Sequence, residues 1–253
     1  MNSVVGTSER GESKSMFARL KDKIIVLSLS LMAIGNWSDT KSMIQEAYVA
    51  VVSNFTNVYE YESLAKVNVG SNIDYIYSIF GAPQLIKPSK YDDAVTINYY
   101  LDKKYILALL IEDKRVVGYS ITGLKADFHP YSLQDKQPIQ SPTRLVDRLE
   151  NLNEFSIDHF NVKYFVLFED LGKRYLFNQM AYGFVDYQGT KLDESLLVDA
   201  YTQANSPEPE DSIASTLSKL VSNETANYVA ITEKAMPLLV DSILTQYEYQ
   251  FYY

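Results

Sequence analysis

Between Val67 and Thr122 the spacing of apolar residues changes once, from a helical period to an extended one. Ser71 is a natural N-cap, and Ile73, Ile76, Tyr77 and Phe80 then fall at i, i+3, i+4 and i+7 on one helical face. Gly81 supplies a C′ position that needs positive φ, and Pro83 blocks continuation, so start, stripe and stop agree. Ala94–Leu101, Lys104–Glu112 and Arg115–Thr122 follow, rich in β-branched and aromatic residues and separated by Asp102-Lys103 and Asp113-Lys114. The pattern predicts a three-stranded antiparallel meander with the helix covering one face.

A similar order recurs downstream. Residues 125–140 carry two prolines and no period, as in a linker. Ser141-Pro142 then opens a helix with Leu145, Val146, Leu149 and Leu152 on one face, followed by strands over Val162–Phe168, Lys173–Met180 and Tyr182–Tyr187. Asp170 and Gly172 form the first turn of this set and Gly189 ends it. Two readings are open, a tandem pair of units (67–124 and 141–192) or one sheet extended by more strands; both are α+β with an antiparallel sheet. The region 193–253 reads as acidic and helical. Ile213, Leu217, Leu220 and Val221 form one stripe, and Asn223 caps a second helix carrying Met236, Val240, Ile243, Leu244 and Tyr247, kinked at Pro237.

Residues 1–23 are polar and become basic at Arg19, Lys21 and Lys23, and the run 24–38 after them is uncharged. Its apolar part is shorter than the roughly 20 residues that span a bilayer, so it reads as an anchor, as a signal segment cleaved near Ala33-Ile34-Gly35, or as a buried helix. The anchor is the leading expectation, giving a single-pass protein with its N-terminus inside by the basic flank. Residues 39–66, with Met43, Ala47, Tyr48 and Val51 on one side, form a tether helix.

Val69-Gly70-Ser71, Ile76, Phe80-Gly81, Pro83, Tyr99-Tyr100 and the run Glu112-Asp113-Lys114-Arg115-Val116-Val117-Gly118-Tyr119 carry a family likeness. Together they resemble the SmpA/OmlA (BamE-like) envelope family. That resemblance implies a helix packed on an antiparallel sheet, the plait also found in β-lactamase-inhibitor-like proteins, and a bacterial cell-envelope setting. It brings no catalytic residue with it.

A net charge of -9 opposes nucleic-acid binding, which needs a basic footprint. The chain has no cysteine, which excludes disulfides, thiol catalysis and thiolate metal sites. His129 and His159 lie in no ligand spacing, and the adjacent pairs Asp92-Asp93 and Glu169-Asp170 read as solvated turn carboxylates, since neighbours on a strand point apart. The sequence assigns no catalytic, cofactor or metal residue. Tyrosine is abundant, at 21 residues, and the closing run Tyr247, Tyr249, Phe251, Tyr252, Tyr253 needs either a place on the protein's own sheet or a partner. The expectation is a non-enzymatic, membrane-anchored or exported protein-binding module that meets the membrane through 24–38. The alternative is a soluble cytoplasmic enzyme or regulator with 24–38 as a core helix.

Overall fold

Tyr105–Glu112 and Arg115–Gly123 are buried along nearly their whole length, so neither face of the sheet they build meets water. Such strands require a layer on each side. The computed structural model describes Lys23, Ile25, Lys41, Met43, Ile44 and residues 56–130, 154–187, 193–206, 210–221 and 226–252. The chain divides into two compact units, Met1–Glu60 and Tyr61–Tyr253.

In the first unit Lys23, Ile25, Lys41, Met43 and Ile44 are helical, with Ile25 and Met43 exposed. The run 24–38 otherwise lies outside the described residues. Among the described residues no helix is long and apolar enough to cross a membrane. This overturns the expectation of a single-pass protein with a transmembrane helix at 24–38, whose apolar part is too short for a bilayer core. Helix α1 spans Val58–Leu64.

The second unit holds the sheet. Helix α2 (Ile73–Phe80) is followed by β1 (Leu85–Pro88), β2 (Thr96–Leu101), β3 (Tyr105–Glu112) and β4 (Arg115–Gly123). Then come β5 (Glu154–Asp158), β6 (Tyr164–Asp170), β7 (Gln179–Val185), α3 (Glu194–Ala204), α4 (Glu210–Val221), β8 (Tyr228–Thr232), α5 (Pro237–Asp241) and α6 (Gln246–Tyr252). The eight strands lie in the order β1-β2-β3-β4-β8-β7-β6-β5, every pair antiparallel. The class is α+β, as the sequence predicts.

One face packs Leu107, Leu109, Ile121, Phe165, Phe184 and Val229 against Leu64 of α1, Ile73 and Ile76 of α2, Leu197 of α3 and Leu217 of α4. The other packs Ile97, Tyr99, Leu110, Val166, Ala181 and Tyr228 against Leu238, Leu239, Ile243 and Leu244 around α5 and Tyr249 of α6. Tyrosine hydroxyls pin this second layer: Tyr228 donates to Leu239 O at 2.6 Å and Tyr187 to Leu244 O at 2.6 Å. Their rings fill the core while the hydroxyls satisfy one carbonyl in α5 and one in the link between α5 and α6.

Local chemistry shifts several expected boundaries. Asn72, not Ser71, caps α2, its side chain accepting from Asp74 N at 2.7 Å. Gly81 holds φ 75° and ψ -158°, an extended positive-φ conformation rather than the left-handed helical one. Asp113 and Lys114 both have positive φ in the two-residue β3–β4 turn. Lys173–Tyr175 is a short 3-10 turn rather than the start of a strand, and β7 begins at Gln179. The long helix expected after Asn223 is replaced by β8 and two short helices, with Pro237 at the first turn of α5. The helix expected at 141–152, most of the linker at 125–140, Asn223 and Gly189 lie outside the described residues.

Candidate functional site

Edge strands β1 and β5 stand at opposite ends of the sheet order, yet the loops that follow them line one cleft. Lys90 and Tyr91 come from the first loop, Asn161 and Val162 from the second with Asp158 at the end of β5, and Tyr164, Val240, Asp241, Ile243 and Thr245 complete a space of about 170 Å³. A strongly twisted sheet can bring diagonal corners together over one face in this way.

The α5–α6 layer holds both loops in place. Asp241 is buried, and its Oδ2 accepts from Ser89 Oγ and from Lys90 N, each at 2.8 Å. Ser89 Oγ in turn accepts from Tyr91 N at 3.1 Å and Asp92 N at 3.3 Å. On the other side Asp158 Oδ1 accepts from Phe160 N at 2.6 Å and Asn161 N at 3.3 Å, and Gln246 N donates to Asn161 O at 2.9 Å. These are side-chain turn bonds of the kind short polar residues make. Tyr164 shares a hydrogen bond with Ser156 at 3.0 Å, and burial pushes its phenol above the ordinary value against the lowering effect of that bond. Both cleft carboxylates therefore serve as turn acceptors. What the loops offer outward is aromatic: Tyr91 is 63% exposed and Phe160 70% exposed.

The residues singled out from the sequence fall in different surroundings. His129 is held through its backbone, its N–H donating to the Tyr61 hydroxyl and its carbonyl accepting from the same group. His159 lies against Phe160, with ring centroids 3.7 Å apart and planes tilted by 37°, and meets Tyr201 edge-on at 4.6 Å. Asp92 pairs with Lys234 at 3.1 Å, and the same ammonium bonds Glu112. That bond, aided by Ala94 N–H, holds the Asp92 carboxyl below its usual range. Asp93 is exposed. Asp170 accepts from Gly172 N at 2.8 Å at the start of the β6–β7 turn, and Glu169 lies beside it at the end of β6.

The sequence places that turn at Asp170 and Gly172 but misses its continuation to Asn178, where a strand over Lys173–Met180 is expected. Leu176 and Phe177 both have φ 58° and are 83% and 63% exposed. Tyr175-Leu176-Phe177 reads as strand by propensity, which hid the continuation; Asn178 was the remaining signal.

No family model matches the chain, and no curated protein does. Among solved structures it is similar to a cysteine-rich secretory protein from Staphylococcus aureus, at 14% identity and a TM-score of 0.30, covering 70% of this chain and 47% of that one. An extracellular protein containing an SCP domain from Bacillus anthracis shows 14% identity and a TM-score of 0.29, over 66% of this chain and 44% of the other. This chain thus spans somewhat less than half of either. A candidate β-lactamase inhibitor protein from Streptococcus mutans shows 13% identity and a TM-score of 0.25, over 51% of this chain and 91% of that one. The third is a weak neighbour of the kind the resemblance names, without support from any family model. At these TM-scores the likenesses carry no functional conclusion.

Proposed function

We propose that this chain is a non-enzymatic protein-binding module whose sheet is a BamE/β-lactamase-inhibitor-like plait of two joined halves. Support for two halves comes from the strand order, which runs edge to centre twice, as β1-β2-β3-β4 and as β5-β6-β7-β8, with β4 and β8 antiparallel in the middle. The observation that carries the binding reading is the exposure of Tyr91, which lines the cleft, and of Phe160, which lies outside the lining on the second tethered loop with its ring edge-on to Tyr201 of α3. Aromatic side chains held rigidly in water offer large contact area at small entropy cost, which suits the anchor of a protein interface. With Asp158 and Asp241 engaged by backbone N–H groups, the cleft favours contact over acid–base chemistry.

Tyr91→Ala, Phe160→Ala and the double variant test this. Both side chains face solvent, so melting temperature should stay within about 2 °C of wild type, as for surface substitutions generally. Crosslinking capture of partner proteins should fall in each single variant and be lost in the double. An unchanged set of captured proteins would remove the reading.

A further inference from the structure

The β6–β7 turn is fixed by its own hydrogen bonds. Leu171 N donates to Asn178 O at 3.0 Å, Phe177 N to Gly172 O at 2.9 Å, Leu176 N to Lys173 O at 3.2 Å and Asn178 N to Tyr175 O at 3.1 Å. Within this closed loop Leu176 and Phe177 occupy positive φ, which glycine and asparagine adopt readily and large side chains do not. They also stand 83% and 63% exposed. A loop that needed only to reverse the chain would be served better by Asn-Gly on both counts. Lys173 and Arg174 are exposed beside the apolar tip, the Arg174 guanidinium lies 5.5 Å from the Tyr175 ring centroid, and the acidic Glu169 and Asp170 stand at the base of the turn, Asp170 accepting from Gly172 N, rather than at its tip.

We propose that this turn is a preformed docking element, Leu176 and Phe177 entering an apolar pocket on a partner protein whose rim is acidic and faces Lys173 and Arg174. A lipid surface suits it less well. Anionic headgroups that would attract two basic residues repel a chain of net charge -9. The element stands apart from the cleft of the preceding reading. β6 runs from Tyr164 at the cleft to Asp170 at the turn, and seven residues of strand measure about 20 Å.

The test uses the full chain with p-benzoylphenylalanine replacing Phe177, irradiated in cells of the source organism, and with the same amino acid replacing exposed Lys103 as control. The expected result is a protein adduct specific to position 177, with Asp or Glu flanking the crosslinked apolar residues. Once purified, that partner should bind the Leu176→Asn/Phe177→Asn variant at least about tenfold more weakly, the loss typical of an anchor residue. Lys173→Glu/Arg174→Glu should weaken binding and flatten its salt dependence. Because asparagine accepts positive φ, the Leu176→Asn/Phe177→Asn variant should melt at or above the wild-type temperature; a clear fall would assign both residues a structural role and overturn the proposal. A lipid adduct, an adduct only with a second copy, no adduct beyond the control, or unchanged affinity in the asparagine variant would overturn it as well. None of these outcomes depends on Tyr91 or Phe160.

Discussion

A methyl group added at Gly183 would lie 2.1 Å from Phe165 O and 2.8 Å from Val166 Cα on the neighbouring strand. No rotamer relieves a clash with backbone, so Gly183→Ala should lower unfolding free energy by ~3 kcal/mol or prevent folding, as read by urea titration. Gly81 is demanding for another reason. Its surroundings are open, but its φ of 75° strains any branched side chain by about 1–3 kcal/mol, so Gly81→Val should melt clearly below wild type. The sequence makes Gly81 legible, because Gly followed by Pro83 after an apolar stripe has one local meaning. It makes Gly123 look like a neutral loop position, whereas a Cβ there would meet Phe128 O at 2.7 Å. The contact comes from the chain doubling back just after β4, a path that no periodicity in the sequence marks. Asp92 supplies a pH test. Its carboxyl is depressed in the folded chain by the Lys234 bond, so its contribution is complete above the ordinary value of about 3.9 and is lost as pH falls through the lower folded value. Melting curves from pH 6 down to about pH 2 should therefore fall less steeply for Asp92→Asn than for wild type; parallel curves would show that the pair adds nothing.

Among the elements, α6 best separates inward from outward aromatics. Tyr249 is buried and stacks on Tyr187 with centroids 4.4 Å apart, while Glu248 pairs with Lys87 at 2.6 Å. Tyr247 and Phe251 stand exposed on the same helix. Tyr249→Ala should cost ~3 kcal/mol, and Tyr247→Ala or Phe251→Ala less than about 0.5 kcal/mol, in thermal or urea unfolding. Equal losses at all three would mean that the whole helix is buried against something. The aromatic run reads as a strand or a tail because residues of one type on both faces leave no helical period to see. β8 was hidden differently: Tyr228–Thr232 is a short apolar run, and the stripe from Met236 onward extends an apparent helix over it. α2 was legible because cap, stripe and stop coincide within a few residues.

In the second unit β8 joins what would otherwise be two separate meanders. Ala230 pairs with Ser120 of β4 on one side and Ala181 of β7 on the other. Asn227, just before it, donates to Gly123 O at 3.2 Å and Val185 O at 2.8 Å, tying the ends of β4 and β7 together. Residues 61–253 should thus unfold in one transition, with tyrosine fluorescence and circular dichroism tracing the same curve. Two separated transitions would show that the meanders hold independently. Ala230→Pro should abolish folding, since proline cannot continue the ladder. The class was legible at this scale, because period and turn residues fix antiparallel strands with helices. Strand order was not, because periodicity says which face a residue takes and nothing about which strand lies beside it.

Placing the final strand between two earlier ones also sets an order on biosynthesis. The Thr232 hydroxyl reaches Val117 O across 115 positions of sequence. Until Tyr228–Thr232 leaves the ribosome, the inner margins of β4 and β7 have no strand to pair with, and the apolar face later covered by Leu238, Leu239 and Tyr249 has no lid. Contacts so distant in sequence form slowly, and bare strand margins recruit other chains. A nascent chain halted before Tyr228 should accumulate on chaperones, and one released only after Tyr249 should fold without them.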